Sequence, residues 1–328
     1  MDLIKKIHGY LSEDIQSMNN VIIDSLSVDE DLIRLVSNHL ASAGGKRMRP
    51  ILTMLTAKMY DYSGEKAIRL AAAVEFIHMA TLLHDDVVDG SKMRRFLPTA
   101  NVVWGSKASI LVGDFLFSQS FKLIVSTKSL YALDVLSNAS AIIAEGEVSQ
   151  LAQLETKQSV TEEDYLKIIN AKTAELFGAA CSVGAIIAGK ESDANSLREF
   201  GLRLGNIFQI ADDALDYFSD SEKVGKNVGD DFYEGKITLP LIFLLEKTSS
   251  DERLKINKML GADNRSESDF AFVQELMQRL DVKSDVEAYL EKLKVKAEGA
   301  LSSIDNSANN ESKEYLQELV GFAISRSY

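Results

Sequence analysis

EKAIRLAAAVEFIHMATLLHDDVVD, residues Glu65 to Asp89 of a 328-residue chain, sets the fold class. Its apolar residues recur three and four positions apart, the period of a helix face, and never alternate as a half-buried strand would. The stretch ends on Asp85, Asp86 and Asp89. In a helix, positions i, i+1 and i+4 lie within about 100° of one another, so three carboxylates project from one side. The same spacing returns in Asp212, Asp213 and Asp216, again behind an apolar run, Ile207 to Ala211. Two similar helices would thus contribute equivalent ends to one site.

Outward from these motifs the helical period continues, and it predicts helices near 2–24, 28–42, 47–60, 65–89, 107–127, 129–155, 161–188, 192–219, 230–247, 266–304 and 309–326. Only 3 prolines interrupt a chain rich in alanine, leucine, glutamate and lysine, the residues a helix interior tolerates best. An all-α fold is expected, as a single domain over residues 1–328, because connections such as Asp61-Tyr62-Ser63-Gly64 are short and none reads as a linker. Residues 249–268 are the expected surface excursion. With 46% hydrophobic and 26% charged residues the chain can bury a substantial core.

The single cysteine, Cys181, cannot form an intramolecular disulfide and sits in a small, apolar stretch, which suits a buried thiol in a reducing, cytoplasmic setting. No run of about 18 uninterrupted apolar residues is present, so stable membrane insertion is not expected. A net charge of -13 opposes unassisted binding to nucleic acid. An anionic substrate would need a local basic pocket.

Three like charges on one helix end repel one another unless a cation intervenes, and hard carboxylate oxygens shared with phosphate and water suit magnesium. The plain alternative for one cluster is a solvated acidic helix face. Two clusters of identical spacing, each closing an apolar stretch, favour metal. Basic groups stand opposite in composition: Lys46, Arg47 and Arg49 after Gly44-Gly45, then Arg94 and Arg95 past the first motif. Arginine grips phosphate oxygens in pairs, lysine supplies a compact charge, and paired glycines let the backbone approach. Further candidates are His78, on the face of Asp85, with Lys172, Thr173, Gln209, Lys226 and Lys236.

With these residues in view, the chain resembles the trans-prenyl diphosphate synthases. Gly44-Gly45-Lys46-Arg47-Met48-Arg49-Pro50, Leu83-His84-Asp85-Asp86-Val87-Val88-Asp89 with Arg94-Arg95, Gly113-Asp114, Lys172-Thr173, Phe208-Gln209-Ile210-Ala211-Asp212-Asp213 and Gly235-Lys236 stand in that family's order and spacing. The resemblance implies an isoprenoid-synthase-type helical bundle around an apolar tunnel, three magnesium ions per site and a homodimer. It implies that Asp85, Asp89 and Asp212 are the principal metal ligands, supported by Asp86, Asp213 and Asp216. Arg94, Lys172, Lys226 and Lys236 would neutralise an allylic diphosphate. Lys46, Arg49, His78 and Arg95 would hold isopentenyl diphosphate, and Thr173 and Gln209 would face the developing cation. The sequence departs from the family pattern at Phe96, where many relatives place glycine. At the C-terminus only Arg326 precedes Ser327-Tyr328, whereas some relatives carry a longer basic tail.

A growing tail anchored at Asp85 would run beside Ile77, Ala80 and Thr81, an i, i+3, i+4 stripe one to two turns earlier. Relatives that stop early place a bulky aromatic at the position of Ala80. The methyl group here implies a long product, C40 by resemblance to bacterial octaprenyl synthases with C45 as the alternative, its length limited by a floor drawn from Phe121, Ile124 and Leu136. Competing readings are a shorter-chain farnesyl or geranylgeranyl synthase, a terpene cyclase, which lacks a second diphosphate site, and a non-catalytic partner of an active synthase, in which intact acidic motifs are not needed.

Overall fold

The computed structural model describes residues 2–156, 160–218, 228–262, 264–304 and 309–325. Lys226 and Arg326 lie outside them. In chain order the helices are α1 (Asp2–Tyr10), α2 (Ser12–Ser25), α3 (Asp31–Ser42), α4 (Met48–Lys58), α5 (Glu65–Val88), α6 (Ala100–Trp104), α7 (Ser106–Ser126), α8 (Leu130–Thr156), α9 (Glu162–Ile169), α10 (Glu175–Ile187), α11 (Ala194–Phe218), α12 (Asp230–Glu234), α13 (Leu239–Lys247), α14 (Ser250–Leu260), α15 (Glu267–Arg279), α16 (Val282–Ser302) and α17 (Asn310–Ser325). A π turn, Asn170–Ala174, joins α9 to α10, and a 3-10 turn, Glu191–Asp193, precedes α11. The all-α expectation holds. Among the described residues the one small exception is a two-stranded hairpin, β1 (Met93–Arg94) and β2 (Leu97–Pro98).

The chain divides into two compact units. Unit 1 comprises Met1–Ser140, Leu176–Arg198 and Ser303–Leu316, and unit 2 comprises Ala141–Glu175, Glu199–Ser302 and Gln317–Tyr328.

At the centre of unit 1 stands α5, whose Ala71, Ala72, Ala73, Val74, Phe76 and Leu83 have no exposed surface. It packs on α2, α4 and α7. The small side chains let neighbouring helices approach, and the larger ones fill the gaps between them. α4 and α10 also approach closely. A Cβ on Gly184 would stand 2.6 Å from the carbonyl oxygen of Thr53, while Thr53 Oγ1 donates to the Ala180 carbonyl at 3.0 Å. Gly184→Ala is therefore expected to destabilise the protein by about 1–3 kcal/mol, read as a lower thermal or urea midpoint. Both α5 and α7 are long and apolar enough to cross a membrane by length and composition, and here both pack within unit 1.

Unit 2 gathers α13 against α9, α15 and α16. Phe270 on α15 anchors an aromatic cluster, with ring centroids 6.0, 5.6 and 5.6 Å from Tyr217, Phe232 and Tyr233.

Several expected helices are broken, each for a local reason. Residues 161–188 contain the π turn, and 230–247 are interrupted at Gly235, which ends α12 in the left-handed region at φ 78° before Pro240 opens α13. Residues 266–304 divide at Asp281, also at positive φ. The first expected helix divides at Leu11 into α1 and α2. Residues 249–268 hold a full helix, α14, begun by a capping box in which Ser249 and Glu252 satisfy each other's backbone N–H groups.

Candidate active site

In unit 1 the first acidic motif occupies the last turn of α5. Asp86 is buried, 1% exposed, and does not face solvent: Arg94 grips it with Nε at 3.1 and 3.2 Å and Nη2 at 2.8 Å. Asp85 is partly exposed and Asp89 exposed. Asn101 Nδ2 donates to the backbone oxygens of Asp86 and Ser91, and Thr99 Oγ1 donates to Ser91, so the segment after the helix is tied back onto it. That segment is the β1–β2 hairpin, with Arg95 and Phe96 at φ 48° and 68° as its two turn residues. A two-residue hairpin turn favours positive φ at both positions, which is why glycine suits the place of Phe96. Phe96 accepts the left-handed region at a cost of about 1–2 kcal/mol and stands 72% exposed at the tip.

The basic residues of unit 1 converge. Arg49 Nη1 lies 3.2 Å from His78 Nε2, and the Arg49 guanidinium stacks 4.7 Å over the Phe177 ring. A guanidinium can only donate, so His78 Nε2 accepts and the imidazole is neutral. Burial, then the charges of Arg49, Arg95 and Arg94, hold His78 well below its ordinary range. Burial also pulls Arg49 down to about 10, with Glu75 opposing and Arg95 assisting. Arg95 lies against Gly45, where a Cβ would meet its Nη1 at 2.8 Å. Lys46 is exposed on the same loop. Arg47 turns instead to Asn19 and to Glu75, the latter at 3.9 Å. Burial raises the Glu75 carboxyl while Arg47, Arg49 and Arg95 pull it back, and its Oε2 has no hydrogen-bond partner among the described residues.

In unit 2 the second motif lies in the last two turns of α11. Asp213, 5% exposed, accepts from Tyr165 Oη at 2.6 Å and Gln209 Nε2 at 2.8 Å. Its carboxyl is pushed up by burial, pulled down by those two hydrogen bonds, and pushed up again by Asp212 and Asp216. Asp216 accepts three backbone N–H groups, from Gly229, Asp230 and Asp231 at 3.2, 3.2 and 3.0 Å, and so fixes the start of α12. Asp212 is partly exposed.

Lys172 and Thr173 sit on the π turn, a widened turn of the kind frequent at functional sites. Lys172 Nζ reaches Glu147 at 2.8 Å and Gln150, and Thr173 Oγ1 donates to Gln209 Oε1 at 2.9 Å. Lys236 pairs with Glu234 at 2.6 Å. Among the described residues, no three His, Cys, Asp or Glu side chains gather closely enough to hold an ion unaided.

The two motifs share one plan. The second aspartate, Asp86 or Asp213, is buried and bound to protein, and the first, Asp85 or Asp212, remains partly exposed. A family model described as polyprenyl synthetase matches residues 30–277. The chain belongs to the polyprenyl synthetase family. It is a prenyltransferase of the trans-prenyl diphosphate synthase class, with the helical isoprenoid-synthase fold that the resemblance implied. The chain is 42% identical to octaprenyl diphosphate synthase of Escherichia coli K12 over 262 residues, 80% of this chain and 81% of that one. A decaprenyl diphosphate synthase structure from Rhodobacter capsulatus superimposes with a TM-score of 0.93 at 39% identity, covering 99% of both chains. A polyprenyl synthase from Caulobacter crescentus CB15, solved with calcium and isoprenyl diphosphate, matches with a TM-score of 0.91 at 42% identity, covering 99% of this chain and 98% of that one.

Reading the sequence of this polyprenyl synthetase passed over Glu75, Glu147, Tyr165 and Asp231. Glu75 had a signal, since a carboxylate three residues before His78 on an apolar helix needs a buried cation. Burial and the charges of Asp213 and Asp216 raise Asp231 as well, with Lys236 opposing.

Proposed function

We propose that this synthase elongates an allylic diphosphate such as farnesyl diphosphate with successive isopentenyl diphosphates to a C40 product, with C45 as the alternative, for a quinone side chain. The observation that carries the long product is Ala80, a methyl group 2% exposed between Ile77 and Thr81 on the helix whose last turn carries Asp85. The octaprenyl and decaprenyl synthases among its relatives support the same reading. Chromatography of products made from farnesyl diphosphate, isopentenyl diphosphate and magnesium tests it, and chains of C20 or less would overturn it.

Asp85, Asp89 and Asp212 would hold magnesium, three ions with the help of diphosphate oxygens, and Asp86, Asp213 and Asp216 would support them. Hard carboxylate oxygens fit that ion, and the relative solved with calcium and isoprenyl diphosphate supports a divalent metal. The metal supplies charge neutralisation of the leaving diphosphate. Lys172 and Lys236, with Arg94 and Lys226, add positive charge to the same group. As the C–O bond breaks, its electron pair leaves with the diphosphate, and Thr173 and Gln209 face the allylic cation. Lys46, Arg49, His78 and Arg95 orient the isopentenyl double bond, whose electrons form the new C–C bond. The departing diphosphate then takes the proton that restores the alkene. Surrounding apolar side chains exclude the water that would quench the cation. The protein acts as a cytoplasmic homodimer in this reading.

The two diphosphate sites should separate kinetically. Arg49→Ala is expected chiefly to raise KM for isopentenyl diphosphate, and Lys172→Ala chiefly to lower kcat for the allylic step. A charge-assisted hydrogen bond is worth about 1.5–3 kcal/mol, which corresponds to roughly ten- to hundredfold in each case. Equal effects of both variants on both substrates would argue against the division.

A further inference from the structure

We propose that Tyr165 is a positioning residue for the allylic step, acting through Asp213 and Gln209 on Thr173. The inference rests on the assignment of Thr173 and Gln209 to the face of the developing cation.

Four side chains of unit 2 form one continuous chain of hydrogen bonds. Tyr165 Oη donates to Asp213 Oδ2 at 2.6 Å, Gln209 Nε2 donates to Asp213 Oδ1 at 2.8 Å, and Thr173 Oγ1 donates to Gln209 Oε1 at 2.9 Å. The direction of each bond follows from what each group can give. A carboxylate only accepts, so both of its neighbours must donate. The Gln209 amide is then turned with its carbonyl away from Asp213, where it takes the one hydroxyl hydrogen that Thr173 possesses. Thr173 is left with lone pairs alone to offer a further neighbour. Lone pairs are what an electron-deficient allylic carbon requires, whereas an O–H or N–H dipole aimed at it would raise its energy.

Tyr165 sets this polarity from the far end. It is 4% exposed and Asp213 5% exposed, so solvent does not compete for the bond between them. Without the hydroxyl, Asp213 loses the contact that fixes its carboxylate plane. The Gln209 amide can then flip and present N–H to Thr173. The start of α9 does not depend on the Tyr165 hydroxyl, because the Thr161–Asp164 capping box holds it independently. On this view Asp213 supports the metal site without touching the ion, which Asp212 would hold, and serves the reaction through Gln209.

The test is steady-state kinetics of the full chain with farnesyl diphosphate, isopentenyl diphosphate and magnesium. Tyr165→Phe should lower kcat by about ten- to thirtyfold while KM for isopentenyl diphosphate and the magnesium half-saturation stay within about twofold. A purely structural role would move all three together with the melting temperature. Asp213→Asn keeps the shape of the side chain and can keep both bonds by donating back to the Tyr165 oxygen. It should hold the magnesium half-saturation within about twofold, where Asp212→Asn raises it about tenfold or more. This second variant decides the matter if Tyr165→Phe does not fold. The proposal is overturned if Tyr165→Phe keeps kcat within about twofold of wild type, or if Asp213→Asn and Asp212→Asn weaken magnesium alike. A wild-type protein inactive with these substrates would instead remove the functional reading beneath it.

Discussion

Asp85→Ala and Asp212→Ala should each cost turnover at least about 10²- to 10³-fold at saturating magnesium, because each removes a hard oxygen from the point where leaving-group charge is neutralised. The fold should survive. Both side chains are partly exposed ends of helices, in contrast to Asp86, which closes a buried bidentate pair with Arg94. Asp212 also contributes to the raised Asp213 carboxyl, so its removal relieves a like-charge repulsion in the metal-free protein. The melting temperature without metal should therefore stay level or rise. Turnover near wild type in either variant would sink the metal assignment.

Ala80→Tyr should shorten the product drastically, from the C40 range to the short-chain range, read by chromatography of the extracted alcohols. Volume decides the outcome. Ala80 lies between Ile77, 1% exposed, and the turn carrying Thr81, whose Oγ1 is tied to the His78 carbonyl at 2.8 Å. A phenol ring grown from this position must enter whatever space the tail would occupy. If that space is already filled by protein, the ring overpacks the core and the variant loses about 1–3 kcal/mol of stability. Stability and product length thus separate an open path from a closed one. Ile124 and Leu136, both 0% exposed in unit 1, mark the proposed floor, with Phe121 packed edge-on against Phe117 at 5.1 Å. Ile124→Ala or Leu136→Ala should lengthen the product. An unchanged distribution in Ala80→Tyr would show that the tail does not pass this stripe.

What the sequence made legible was periodic or spaced. The apolar period from Ala67 to Val88 marks α5 to within a residue, and the i, i+1, i+4 aspartates mark both motifs. Less legible were features that depend on partners distant in sequence. Tyr165 reads as one more apolar position on α9, and only the fold brings Asp213, 48 residues away, to its hydroxyl. The distinction between Asp86 and Asp85 was equally hidden, because adjacent residues on a helix point about 100° apart and only packing decides which one is inside. The hairpin at Met93 to Pro98 is too short to show alternation. Its clue was the family's glycine at the place of Phe96, a backbone requirement read as a departure in loop sequence. The capping box at Ser249 was present in the sequence and was passed over because the residues around it are polar.

The order in which the two units draw on the chain bears on how the protein is made. Unit 1 takes its first 140 residues early but waits for 176–198 and 303–316, and unit 2 is completed only by 317–328. On a ribosome adding about 5–20 residues per second, roughly 9–35 s pass between the emergence of residue 140 and that of the last segment unit 1 needs. Early in that interval α4 lacks α10, the helix whose Ala180 and Gly184 meet Thr53, and this face of the nascent chain depends on chaperones or on provisional packing to keep it from other chains. A chain cut short anywhere before residue 303 lacks part of both units.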